Sequence, residues 1–317
     1  MINAYTQNGC LESALSIFTK MPVWDVVSWN TIIRGYAQNG KNKEALGLFH
    51  SMSANGFNPN NITFVCVLDA CVKLCDLKEG MLIHNIIAQE SCERDSIVGT
   101  TLVTFYGKCK NLNCAWRAFT KISHHNVITW TAMIGAMSQN SHPKEALSLF
   151  YKMRAKGINP NNVTFVCALD ACMHLIEGQR IHSAIVCSGL EQDVIVGTNL
   201  IHMYTKCGCL QSGFHVFYTM DHKNVVTLNA MMKALNMSEE ISKSLPLLYQ
   251  SVRRDIKPDN TTFVCALEAC GKNAHLKDGH TIHTAIIENQ SEQDLIVANA
   301  LIDMYTKFSS PNDARVV

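Results

Sequence analysis

The stretch VVSWNTIIRGYAQNGKNKEALGLFHSMSANGFNPN, residues 26–60, decides the fold. Trp29, Ile32, Ile33 and Tyr36 recur at helical spacing, and Asn39 and Gly40 then break the run. Ala45, Leu48, Phe49 and Met52 form a second stripe, which ends around Gly56 and Pro59. The β-branched pair Val26 and Val27 could open a strand, but the periodicity that follows is too long for one. The stretch therefore reads as a helix, a tight turn and a second helix. Such a pair cannot bury both faces alone and must stack on neighbours.

The neighbours are present in the chain. VITWTAMIGAMSQNSHPKEALSLFYKMRAKGINPN, residues 127–161, has the same length and pattern as 26–60. TFVCVLDAC (63–71), TFVCALDAC (164–172) and TFVCALEAC (262–270) superimpose directly, each preceded by a proline: Pro59, Pro160 and Pro258. Those prolines are 101 and 98 residues apart, the shorter interval reflecting a three-residue deletion in CMHLIEG (172–178). Each long period divides into a 35-residue repeat, a second of 35 that the deletion cuts to 32 in 162–193, and one of 31, the last seen in SIVGTTLVTFYGKC (from 96) and VIVGTNLIHMYTKC (from 194). The tiling is 26–60, 61–95, 96–126, 127–161, 162–193, 194–224, 225–259 and 260–294, with partial repeats at 1–25 and 295–317. The whole chain is thus one repeat array, all-α, an α-solenoid. The repeat at 225–259 is degenerate: Leu228 replaces the tryptophan, Glu239 the turn glycine, and Pro246 falls inside the second helix, where it should cost about 3 kcal/mol or a kink. The deletion in 162–193 is expected to shorten a helix or a turn.

Composition removes several function classes. Without the repeats, 317 residues would suggest two globular domains. With 27 Lys+Arg against 26 Asp+Glu, the net charge of +1 excludes a strongly basic, salt-driven nucleic-acid binder. Hydrophobic residues at 47% argue against disorder, and no apolar run approaches a membrane span. The N-terminus, MINAYTQNGCLESALSIF, has the marks of neither a signal nor a transit peptide.

Fourteen cysteines invite a metal or redox reading. The chain contains no CxxC, no HExxH and no HxE followed by PCxxC, so the zinc-site, zinc-protease and deaminase signatures are missing. Cys66/Cys71, Cys167/Cys172 and Cys265/Cys270 recur in phase with identical neighbours, which marks packing positions. No metal site and no cofactor is expected. His84, His182 and His283 also recur in phase, as packing or hydrogen-bonding residues, and the sequons at Asn61, Asn162 and Asn260 follow from the repeat itself.

VVSWNTIIRGYAQNG, KEALGLFHSM, TFVCVLDAC, NLIHMYTKCG and NALIDMYTK together resemble pentatricopeptide-repeat proteins, specifically the plant-type class that alternates 35-residue, longer and 31-residue motifs. The resemblance covers essentially the whole chain. It implies a right-handed superhelix and sequence-selective binding of single-stranded RNA, an organellar transcript, in the mitochondrion or alternatively the plastid. It also implies a targeting role in RNA processing or cytidine-to-uridine editing, with editing-factor proteins as further partners and no membrane. The deaminase domain that completes many members is not in this chain. Both ends are cut inside a repeat, as in a fragment or a decayed gene copy.

The family reads one base per repeat through the fifth and last residues, with the second residue flanking the base. Second residues are Val27, Ile97, Ile128, Ile195, Val226 and Ile296 in the 35- and 31-residue repeats, and Ile62, Val163 and Thr261 in the longer type. Branched aliphatics can sandwich a base, or can simply pack between adjacent repeats. Fifth residues are Asn30, Thr100, Thr131, Thr198, Asn229 and Asn299, each short and able to donate and accept. Helix capping is the other explanation for them. Last residues are Asn60, Asn126, Asn161, Asn224 and Asp259, which turn chemistry alone would also favour. The family's pairing rule gives a pyrimidine, cytidine favoured, for Asn30 with Asn60 and uridine for Asn229 with Asp259. It gives adenosine for Thr100 with Asn126, Thr131 with Asn161 and Thr198 with Asn224. Val65, Val166 and Val264 cannot hydrogen-bond a base edge, so the longer repeats space, and the expected target is 5′-C-N-A-A-N-A-U-3′. The competing classes are a non-functional remnant, a tetratricopeptide-like protein scaffold, whose repeats would be a uniform 34 residues, and an enzyme, for which no catalytic constellation is visible.

Overall fold

A computed structural model describes residues 1–273 and 276–308. The described chain is helical throughout and forms two compact units, the first Met1–Ala171 and the second beginning at Cys172. In the first, α1 (Ile2–Gln7) pairs with α2 (Leu11–Thr19), α3 (Val26–Gln38) with α4 (Asn42–Ala54), and α5 (Asn61–Leu74) with α6 (Leu77–Gln89). There α7 (Ser96–Lys108) pairs with α8 (Leu112–Lys121) and α9 (Val127–Gln139) with α10 (Pro143–Ala155), and α11 (Asn162–Asp170) follows. The second unit begins with α12 (Leu175–Cys187) and continues with α13 (Val194–Lys206) on α14 (Leu210–Thr219). Then come α15 (Val225–Asn236) with α16 (Ser244–Val252), α17 (Asn260–Asn273) with α18 (Leu276–Glu288), and α19 (Leu295–Lys307). The second helix expected for 295–317 lies outside the described residues.

Within each unit the odd-numbered helices stack on one another in chain order, α1 on α3 through to α11, and α13 on α15 through to α19. The stacking follows from the stripes in the sequence. Trp29, Ile32 and Ile33 of α3 are buried, as are Phe49 and Met52 of α4. Each such side chain contributes about 1.5–3 kcal/mol on leaving water. Close approach is secured by small residues: a Cβ on Gly80 would stand 2.0 Å from the Phe105 ring. Gly178 and Gly279 meet Met203 and Met304 in the same way.

The in-phase histidines tie one repeat to the next. His84, His182 and His283 place Nδ1 at 2.7, 2.7 and 2.8 Å from the hydroxyls of Tyr106, Tyr204 and Tyr305. The in-phase cysteines are core residues: Cys66, Cys71, Cys172, Cys265 and Cys270 are buried and Cys167 is half-buried, all as free thiols. Burial pushes the Cys71 and Cys270 thiols up to about 12.

Two local expectations are resolved. Pro246 does not interrupt a helix. A 3-10 turn, Ile241–Lys243, delays the start of α16 to Ser244, so Pro246 sits in the first turn, where its missing N–H has no intrahelical partner to lose. The three-residue deletion shortens the helix rather than the turn: α11 has 9 residues where α5 and α17 have 14. Among the described residues, no helix is long and apolar enough to cross a membrane.

Candidate nucleic-acid interface

From α3 onward, each first helix opens on the same local chemistry. The residue that ends one repeat is the N-cap of the first helix of the next. Asn60 Oδ1 accepts from the amides of Ile62 and Thr63, both at 3.1 Å. Asn126 does the same for Ile128 and Thr129 at 3.0 and 3.1 Å. Asn161 caps Thr164 at 2.9 Å, Asn224 caps Thr227 at 3.0 Å, and Asp259 takes the Thr262 amide at 2.8 Å. The third residue of the following repeat returns its hydroxyl toward the cap, completing a capping box at Asn60, Asn126 and Asn161. Capping therefore belongs to the last residues. The fifth residues lie a full turn inside the helix, where no capping position exists.

The cap fixes what these side chains show to solvent. An asparagine whose Oδ1 must face backbone N–H groups has its Nδ2 turned away, so the amide orientation is set by the network. Asn60, Asn126, Asn161 and Asn224 thus present a donor, and their Nδ2 groups take no partner among the described residues. Asp259 presents a second carboxylate oxygen, an acceptor, while its Oδ1 receives Thr262 and Asn229. Burial acts to raise the Asp259 pKa, but hydrogen bonds from Thr262, Asn229 and Thr261 outweigh it and hold the carboxyl below its ordinary value. It is ionised at neutral pH.

The fifth residues stand beside these caps. Asn30 Nδ2 donates to Asn60 Oδ1 at 3.0 Å, and Thr63 donates to Asn30 Oδ1 at 2.5 Å. The same triangle recurs at Asn229, which donates to Asp259 at 2.9 Å and accepts from Thr262 at 2.7 Å. In the threonine repeats the hydroxyl turns inward instead. Thr100, Thr131 and Thr198 donate to the carbonyls of Ser96, Val127 and Val194, and Thr131 and Thr198 also meet Thr164 and Thr227 at 2.6 and 3.2 Å. A hydroxyl with its proton committed offers a lone pair outward. Asn30 and Thr198 are buried, Thr100, Thr131 and Asn229 half-buried, and Asn299 exposed, its repeat ending outside the described residues.

The second residues form the apolar part of the same surface. In the first unit Val27, Ile62, Ile97, Ile128 and Val163 are between 47% and 70% exposed. In the second unit Ile195, Val226 and Ile296 are 55–67% exposed, and Thr261 is exposed too. Packing between repeats does not account for side chains that remain in water to this degree.

Two further sets were not picked out from sequence. The third-place hydroxyls Thr63, Thr129, Thr164, Thr227 and Thr262 are fully buried; Thr63, Thr164, Thr227 and Thr262 connect cap to fifth residue, while Thr129 bonds its cap Asn126. Lysines occupy the thirteenth place at Lys73, Lys108, Lys206, Lys272 and Lys307, in the last turn of their helices, where a cation also offsets the helix dipole. Their fixed phase was the available signal. Among the described residues no group of three or more His, Cys, Asp or Glu is placed to hold a metal ion.

The sequence matches the PPR repeat family over residues 24–73 and 125–174, and the PPR repeat over 1–26 and 198–225. It is 31% identical over 99% of its length to pentatricopeptide repeat-containing protein At4g18520, chloroplastic, of Arabidopsis thaliana, covering 51% of that protein. Identity to At1g11290, chloroplastic, of the same plant is 33% over 99% of the chain and 39% of the relative; to its At3g09040, mitochondrial, it is 30% over 96% and 30%. The chain thus spans about half the length, or less, of these curated relatives. In fold it resembles the pentatricopeptide repeat protein PPR10, solved in complex with an 18-nt psaJ RNA element, with a TM-score of 0.54 at 18% identity, over 99% of this chain and 47% of that one.

Proposed function

We propose, for a chain that belongs to the pentatricopeptide repeat family over nearly its whole length, that it binds single-stranded RNA with one base per repeat. The observation that carries this reading is the regular pairing of an outward polar group at each repeat end with an exposed aliphatic two residues further on. Branched aliphatics give a base face an apolar wall, and the polar groups meet its edge. Base-edge chemistry then follows from the caps. An outward Nδ2 donor suits N3 of cytosine and N1 of adenine, which are acceptors, whereas the Asp259 carboxylate suits the N3–H of uracil. A threonine lone pair beside an asparagine donor matches adenine, which shows an amino donor next to N1. The first unit accordingly reads C-N-A-A through 26–60, 61–95, 96–126 and 127–161. The second reads A and U through 194–224 and 225–259. The thirteenth-place lysines supply phosphate contacts, so binding weakens as salt rises in step with the number of those contacts rather than with the net charge of +1.

Relatives named chloroplastic and mitochondrial support placing this activity in a plastid or mitochondrion, and PPR10 with its bound RNA element supports RNA as the ligand. There the chain acts as a non-catalytic targeting module in RNA processing or cytidine-to-uridine editing. The test is fluorescence anisotropy with an RNA containing C-N-A-A-N-A-U, against a scrambled oligomer and against G at each A. Tighter binding of the intended sequence, weakened by every A-to-G change, is expected; indifference to those changes refutes the assignment.

A further inference from the structure

The longer repeat 61–95 carries Val65 in the fifth place, which by itself gives a base nothing to hydrogen-bond. The structure nevertheless opens a cleft of about 340 Å³ at that point, between α3 and α5. Ile62 and Ile97, the exposed second residues of two successive repeats, line it, and Val65 forms part of its lining. Arg34, Asp69 and Lys73 bring charge into it. Its volume lies at the lower end of the range for small-molecule sites, about 300–1,000 Å³.

Asp69 is the feature that sets this repeat apart. Its carboxylate takes no hydrogen bond or ion pair among the described residues, and Lys73 influences it only through space. Lys73 itself donates to the Ala37 carbonyl at 3.1 Å. The equivalent acids of the other longer repeats are engaged. Glu268 accepts from Lys272 at 2.7 Å and from Asn236 at 3.3 Å, while Asp170 has an interaction of its own. Asn236 and Ala37 occupy the same place in their repeats. The asparagine reaches the acid and the alanine leaves it open.

We propose that this cleft holds a guanine base, so that repeat 61–95 reads rather than spaces. The inference rests on the RNA-binding reading above and sharpens its target to 5′-C-G-A-A-N-A-U-3′. Guanine is the base that shows two adjacent donors, N1–H and N2–H2, to which one carboxylate can bind in a bidentate manner. It also carries O6 and N7 acceptors for Arg34 or Lys73. Ile62 and Ile97 supply the walls. Adenine offers the carboxylate one donor beside an acceptor, and uracil one donor between two acceptors, so both leave an oxygen facing a lone pair.

The experiment is anisotropy with four RNAs that differ only in the second base, using the whole chain and its Asp69→Asn variant. Asp69 is exposed, and its replacement is expected to leave the thermal melt unchanged. The expected result is an affinity for G about tenfold above A, C and U, reduced to less than threefold in Asp69→Asn, with Asp69→Glu restoring part of it. Equal binding of all four, while A-to-G changes at the third base still weaken the complex, overturns this inference and leaves RNA binding intact. Failure to bind any of the four, with the scrambled RNA no worse, removes both.

Discussion

Replacing Asn60 separates what the residue does for the fold from what it does for recognition. Its Oδ1 caps α5 through two backbone amides at 3.1 Å and accepts from Asn30, which is 6% exposed. Asn60→Ala removes the cap, worth about 1 kcal/mol. It also strands the buried Asn30 amide, at about 1–2 kcal/mol more. The expected loss is about 2–3 kcal/mol in urea denaturation. Asn60→Asp keeps an acceptor for all three donors, and a negative charge at a helix N-terminus is worth about 0.3–1 kcal/mol in favour. Its stability should match or exceed the parent. What changes is the outward group, from an Nδ2 donor to a carboxylate oxygen, which reproduces the pairing seen at Asn229 and Asp259. The base preferred at the first position should move from C toward U by about tenfold, or about 1.4 kcal/mol, read as the ratio of two dissociation constants. A ratio that stays where it was, in a protein as stable as the parent, would falsify the idea that the cap residue is read. Equal stability of the alanine and aspartate variants would refute the packing half of the argument.

Three other outcomes follow from the geometry. Gly80→Ala drives a Cβ into the buried Phe105 ring and should cost about 1–3 kcal/mol, while Gly47→Ala, with nothing within 4 Å, should gain about 0.5–1 kcal/mol; paired urea melts check both. Burial, with the nearby His215, holds the His182 pKa below its ordinary 6.5, so the unfolded chain binds the proton more readily. Stability should then be full above pH 6.5 and fall on acidification, and His182→Gln should flatten that slope in melts between pH 7.5 and 5.5. Maleimide at pH 7.5 should label the exposed Cys10, Cys75 and Cys187 quickly; Cys71 and Cys270, buried and shifted to about 12, should react only in denaturant.

The helix pairs were legible because the apolar stripe of Trp29, Ile32, Ile33 and Tyr36 recurs with the right period and phase. Phase also exposed the cysteines as core residues. Contacts between residues of neighbouring repeats were harder to read. His84 and Tyr106 lie 22 residues apart, and nothing in either stretch alone says that they meet. The openness of Asp69 depends on Ala37 in the preceding repeat, just as the closure of Glu268 depends on Asn236. A sequence pattern records each place singly, whereas a pocket is made by two. Pro246 misled for a related reason: propensity identified a helix breaker correctly, but the helix start moved to accommodate it.

On the proposed RNA reading, the double duty of the last residue limits how recognition can vary in such an array. Every repeat end from residue 25 onward is Asn or Asp: Asp25, Asn60, Asp95, Asn126, Asn161, Asp193, Asn224, Asp259 and Asp294. Serine would cap as well, but its single oxygen would be spent on the backbone and would leave little to show a base. Only a side chain with two polar atoms on one planar group can cap with one and present the other. Asparagine then presents a donor and aspartate an acceptor, so the last place carries a two-way choice. On that reading, discrimination within each class falls to the fifth residue, where Asn30 and Asn229 reach the cap and Thr100, Thr131 and Thr198 turn their hydroxyls inward. A substitution that leaves this alphabet therefore loses helix stability and base reading together. One that stays inside it, such as Asn60→Asp, changes the reading alone.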